Sequence, residues 1–144
     1  MTYEEWLSII EQLNTTNTNQ DLLNKLKQEP VNNNLSSMIV PKLVTLINNR
    51  FELSVNKITK ELEYIFTDIN YLDLSLLNFK KEIKYLLELI NLQHIPEDIK
   101  QTSINKLKQD TNKVYDILIK EADKYDYTGV ASMTIKNNMI KWSE

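Results

Sequence analysis

One histidine, His94, is the only imidazole in this 144-residue chain, and there is no cysteine. Without a thiol there is no disulfide, no thiolate zinc site and no cysteine nucleophile. With one imidazole, neither a His–His pair nor the paired Glu-x-x-His sets of a bundle metal site can form within a single chain. A Ser–His–acid site would have to be gathered from distant points, and the glycine-framed nucleophile elbow is missing. A phosphorelay histidine belongs mid-helix on a solvated face. His94 instead stands in Gln93-His94-Ile95-Pro96, which reads as a boundary between helices. It is expected to be a surface residue.

Carboxylates are the next source of chemistry. They form an acid–base dyad or a metal site inside a bundle only where they interrupt the apolar helix faces. Glu52, Glu61, Glu63, Asp68, Glu82, Glu88, Asp116 and Glu121 fall mostly off those faces. Lys57–Glu61, Lys84–Glu88 and Asp116–Lys120 have the four-residue spacing of ion pairs on solvated faces. The run Asp123-Lys124-Tyr125-Asp126-Tyr127-Thr128-Gly129 spaces its acids by three instead of two and lacks the later ligands of a calcium loop. Gly129 is the only glycine, so a glycine-rich phosphate loop has no raw material. No catalytic, cofactor-binding or metal-binding residue is assigned, and the chain is read as a non-enzyme.

What remains is binding. The net charge is −3, and of the 17 basic residues only Arg50 is an arginine. Both signs are mixed along the chain, leaving no electrostatic footprint for nucleic acid or anionic lipid. Bidentate guanidinium contacts dominate phosphate and guanine recognition, and one arginine supplies few of them. Lys57, Lys60, Lys80, Lys81 and Lys84 are the residues a nucleic-acid-associated regulator would use, which stands as the alternative reading. Trp6 and Trp142 are of the residue type most enriched at interfaces, and Tyr115, Tyr125 and Tyr127 combine aromatic bodies with polar tips. Together with Met139 they are the candidate protein-interface residues. The favoured expectation is a cytoplasmic, non-enzymatic regulatory protein that binds another protein or itself. A ligand carrier or enzyme with a pocket between helices is the third reading.

The elements that must position these residues are helical. Leu72, Leu76, Phe79, Ile83, Leu86 and Ile90 repeat at intervals of three and four, the seam of a helix packed on other helices. A second stripe runs through Leu43, Ile47, Phe51, Val55, Ile58, Leu62, Ile65 and Ile69. Its helix is expected to begin near Ser37, with Pro41 in the first turn, where no amide hydrogen is needed. A tight reversal is favoured over residues 70–73, with Asp73 capping the next helix, and a single helix kinked there is the alternative. Pro96 forces a boundary, and Ile104, Leu107, Thr111, Val114, Leu118, Ala122 and Tyr125 mark a third long helix ending near Gly129.

Ahead of these lie two short helices. Thr2 and Glu5 have capping-box spacing before Tyr3, Trp6, Ile10 and Leu13, and a polar break, Asn14–Asn19, separates them from Leu22, Leu23 and Leu26. The pattern predicts one all-α domain, an antiparallel bundle of three long helices over 37–128 with a small helical hairpin at 1–29. The tail, 130–144, reads either as one helical face through Ile135, Met139 and Trp142 or as an extended Met133-Thr134-Ile135. No apolar run approaches the ~18 residues needed to cross a bilayer.

Overall fold

The computed structural model describes residues 1–60, 68–125 and 129–142, the side chains of Ile69 and Tyr125 excepted. The protein is all-α, an antiparallel helical bundle with no strand among the described residues. The helices of the described residues are α1 (Tyr3–Leu13), α2 (Gln20–Gln28), α3 (Asn33–Lys60), α4 (Ile69–Ile90), α5 (Glu97–Tyr125) and α6 (Val130–Asn137). No described helix is long and apolar enough to cross a membrane. The chain divides into two compact units, Met1–Leu53 with Glu82–Asn105 and Ser54–Lys81 with Lys106–Glu144.

In the first unit, α1 starts with the capping box its sequence predicts. Thr2 Oγ1 accepts the Glu5 N–H at 3.2 Å, while the Thr2 N–H donates to the Glu5 carboxylate at 3.3 Å. Helix α1 then buries Trp6, Ile9 and Leu13, leaving Tyr3 and Ile10 half-buried. Asn19 caps α2 by accepting the Leu22 N–H at 3.0 Å, and Leu23 and Leu26 face inward. Ile39, Leu43 and Leu46 of α3 and Ile83, Leu86 and Ile90 of α4 are buried in the same unit. Each such side chain contributes about 1.5–3 kcal/mol by leaving water.

Helix α3 begins earlier than the expected Ser37. Asn32 stands at its start, its Oδ1 accepting the Leu35 N–H at 3.2 Å. Pro41 consequently lies inside the helix, beyond its first turn. It has no N–H to donate to the Ser37 carbonyl, and an interior proline costs about 3 kcal/mol relative to alanine. Pro41 is exposed, so Pro41→Ala restores that bond without disturbing the core. We expect the variant to be more stable by about 1–3 kcal/mol, read as a higher urea midpoint with an unchanged slope.

The middle of the α3 stripe also differs from its sequence pattern. Phe51 and Val55 are only half-buried, and the inward positions belong to Arg50 and Ser54. Leu62 and Ile65 lie outside the described residues. In α4 the predicted seam holds at every position, with Leu72, Leu76, Phe79, Ile83, Leu86 and Ile90 each at most 3% exposed. Residues 70–73 are helical, which corrects the reversal expected there. The start of α4 is marked by Asp68, whose Oδ1 accepts the Asn70 N–H at 3.0 Å and whose carbonyl accepts that of Leu72.

In the second unit, Ile58, Leu72, Leu76 and Phe79 share the buried set with Leu107, Val114, Leu118 and Ala122 of α5. Gly129 adopts the left-handed φ of 76° that favours glycine and opens α6. The tail is helical through Asn137, burying Ala131 and Ile135. Met139 and Trp142 lie past the helix end, so the single helical face through Ile135 and both of them does not form.

Candidate functional site

The most concentrated polar chemistry among the described residues is a buried cluster in the first unit, centred on Arg50. Its guanidinium grips Glu82 with two parallel hydrogen bonds, Nε to Oε1 at 2.8 Å and Nη2 to Oε2 at 2.7 Å. Nη1 donates to the carbonyls of Leu13 at 2.8 Å and Asn17 at 3.1 Å. The guanidinium carbon sits 4.4 Å from the centre of the Tyr85 ring. The Tyr85 hydroxyl in turn donates to the Asn19 carbonyl at 2.8 Å.

Helix geometry explains why these partners meet. The last carbonyls of α1 have no partner within their own helix and carry the negative end of its dipole. Helix α1 has no basic residue in its last turn, and Arg50 supplies the missing cation from α3. Arg50 and Tyr85 between them fasten the Asn14–Asn19 break at two carbonyls. The Arg50 and Glu82 side chains are 0% and 5% exposed, so the pair is sealed from solvent. Burial pushes the Glu82 carboxyl above its ordinary range, against the hydrogen bonds and charge of Arg50, which pull it down. With four of its five N–H donors engaged, Arg50 has little left to offer a ligand. The cluster holds structure.

Glu82 was expected on a solvated face and is buried instead. A signal existed: position 82 follows Phe79 by three and precedes Leu86 by four, which places it beside the seam. The expected Lys84–Glu88 pair does not form, because Glu88 accepts from Lys27 of α2 at 2.8 Å. Glu61, the expected partner of Lys57, lies outside the described residues. Among those residues, Asp116 and Lys120 form no ion pair, while Lys106–Asp110 and Lys124–Glu121 do.

His94 is likewise inside, only 4% exposed, which corrects its reading as a surface residue. Its ring meets that of Trp6 edge-on, with centroids 4.9 Å apart and planes at 73°. Neither ring nitrogen has a hydrogen-bond partner among the described residues. The boundary segment folds inward here, with Leu92 and Ile95 buried beside it in sequence.

The interface candidates are scattered. Trp6 at 1% exposure is part of the first unit's core, and Tyr115 at 0% is part of the second's, so neither offers a contact surface. The Tyr115 ring packs edge-on against Phe79, centroids 5.7 Å apart. Met139 and Trp142 are half-buried, Tyr127 lies outside the described residues, and so does the side chain of Tyr125. Lys57, Lys60, Lys81 and Lys84 are exposed and Lys80 half-buried, and none makes an ion pair among the described residues. No group of three or more His, Asp or Glu among the described residues is placed to hold a metal ion.

Exposed apolar side chains point elsewhere. Leu74 and Leu77 on α4 stand one turn apart at 52% and 48% exposure, with Lys80 and Lys81 in the next turn. Ile117 at 49%, Val130 at 52% and Met133 at 62% are further exposed apolar residues of the same unit. The periodicity of the buried seam sets positions 74 and 77 on the opposite side of the helix, which accords with their exposure. No protein-family model, no curated protein and no solved structure matches the chain.

Proposed function

We propose that this protein is a non-catalytic, cytosolic binding module that receives an amphipathic helix of another protein on the outer face of α4. The observation that carries the reading is the pair Leu74 and Leu77, about half exposed on a helix whose opposite face is fully buried. Residues spaced by three and four share a helix face, so Leu74, Leu77 and Lys81 form one stripe, flanked by Lys80. Apolar anchors beside lysines that pair with no described carboxylate suit a partner helix with leucine-like knobs and an acidic rim.

Replacing Leu74 and Leu77 together with glutamate tests this, because both side chains are exposed and the fold has no use for them. Immobilised wild-type protein is expected to retain a partner from its native host at least tenfold better than the double variant, with identical circular dichroism. An acidic helical peptide cut from that partner is expected to bind the wild type alone. Equal retention by the two proteins overturns the reading.

A second reading rests on Lys57, Lys60, Lys80, Lys81 and Lys84, none of which is neutralised by a described carboxylate. Phosphate contacts through these lysines would make nucleic-acid affinity fall steeply between 50 and 200 mM salt, as counterion release requires. Binding to duplex or single strands that is absent, or indifferent to salt, removes it.

A further inference from the structure

The end of the described chain is held by a poor polar fit. Past α6 the Ile140 backbone lies beside the Tyr115 hydroxyl, close enough to draw down its titration but closing no hydrogen bond of ordinary length and angle. Among the described residues the hydroxyl is buried without a partner, and so is the Trp142 indole N–H two residues further on from Ile140. Thr111, one turn before Tyr115 on the same face of α5, buries a third unpartnered group, its hydroxyl. Burial pushes the Tyr115 hydroxyl up to about 12, the mark of a phenol sealed from water.

A buried polar group without a partner costs about 1–3 kcal/mol, and that cost is relieved when water reaches it. A segment whose closure strands such groups is a low-stability element that opens before the helices beneath it melt. We propose that Met139–Trp142 is a strap that closes over Tyr115 and opens independently of the second unit's helices, alternately sealing and uncovering the stretch of α5 around Tyr115. Met139, Ile140 and Trp142 supply the apolar contact that closes it, each half-buried, and the unpartnered Tyr115 and Trp142 groups supply the bias to open.

Exchange of the Trp142 indole proton with solvent, followed by NMR in the full chain, reads the opening directly. Trp6 gives the only other indole signal, and it is sealed in the first unit's core. The Trp142 proton is expected to exchange at least a hundredfold faster than the backbone amide of Leu118, a buried α5 residue that reports loss of the helices themselves. In Tyr115→Phe one unpartnered group is gone from the closed state, and the Trp142 proton is expected to exchange about five- to a hundredfold more slowly. Thr111→Val keeps the shape and is expected to leave the order of the two rates unchanged. Trp142 and Leu118 exchanging at one common rate would mean that no separate strap exists. Faster Trp142 exchange in Tyr115→Phe would mean that the hydroxyl holds the strap shut. Either result overturns the proposal.

Discussion

Replacing Arg50 with methionine is expected to destabilise the protein by about 3–5 kcal/mol, a large share of the stability of a chain this size. The loss is not the strength of one contact. Methionine leaves the Glu82 carboxylate in a site 5% exposed with no cation, and strips the Leu13 and Asn17 carbonyls of their donor. Changing Glu82 to leucine in the same molecule removes the stranded charge. The double variant is expected to recover most of the loss, because two charges brought out of water gain little over well-packed apolar groups. Urea unfolding of the two single variants and the double variant gives the coupling. Additive losses would show that the pair is not the unit described above.

The direction of the Glu82 titration supports this outcome. Burial raises its folded value above the unfolded one, with Arg50 opposing. A carboxyl raised in this way favours the folded state below its unfolded value. That advantage is lost as pH rises through the folded value, so at neutral pH the ionised carboxylate is held at a cost. An apolar pair carries no such cost. What it gives up is the cap on α1 and the tether on the Asn14–Asn19 break, and the residual deficit of the double variant measures these.

Trp6→Ala is the second large effect, expected at about 3–5 kcal/mol by chemical or thermal unfolding. Trp6 is 1% exposed, and alanine leaves a cavity against the edge of His94 that the surrounding helices fill only in part. His94→Leu is the informative companion. The imidazole buries two nitrogens without partners, and a leucine of similar bulk removes that burden, so this change is expected to be neutral or stabilising. A loss of more than 2 kcal/mol in His94→Leu would show that the imidazole makes hydrogen bonds the described contacts do not contain.

The contrast between these residues and the seam of α4 separates what was legible in the sequence from what was not. The seam could be read because helical periodicity is a local property. An apolar residue every three or four positions has one low-energy use, and all six positions are buried. The capping box at Thr2 and Glu5 was readable for the same reason, its partners being three residues apart. The start of α3 was misread because asparagine ends one helix and caps the next with the same side chain, and only the path of the chain chooses between them.

The pairing of Arg50 with Glu82 lay beyond any local signal. A charged residue by itself belongs in water, and these two are inside because each finds the other across 32 residues. The Leu13 and Asn17 carbonyls that complete the cluster lie 37 and 33 residues from Arg50. The burial of His94 against Trp6 is of the same kind. By itself the amino-acid order determined which segments coil and which edge of most coils is oily, since those are settled between neighbours a turn apart. Tertiary packing alone decided where charge and the one imidazole could be buried, because both depend on groups that only the folded chain brings together.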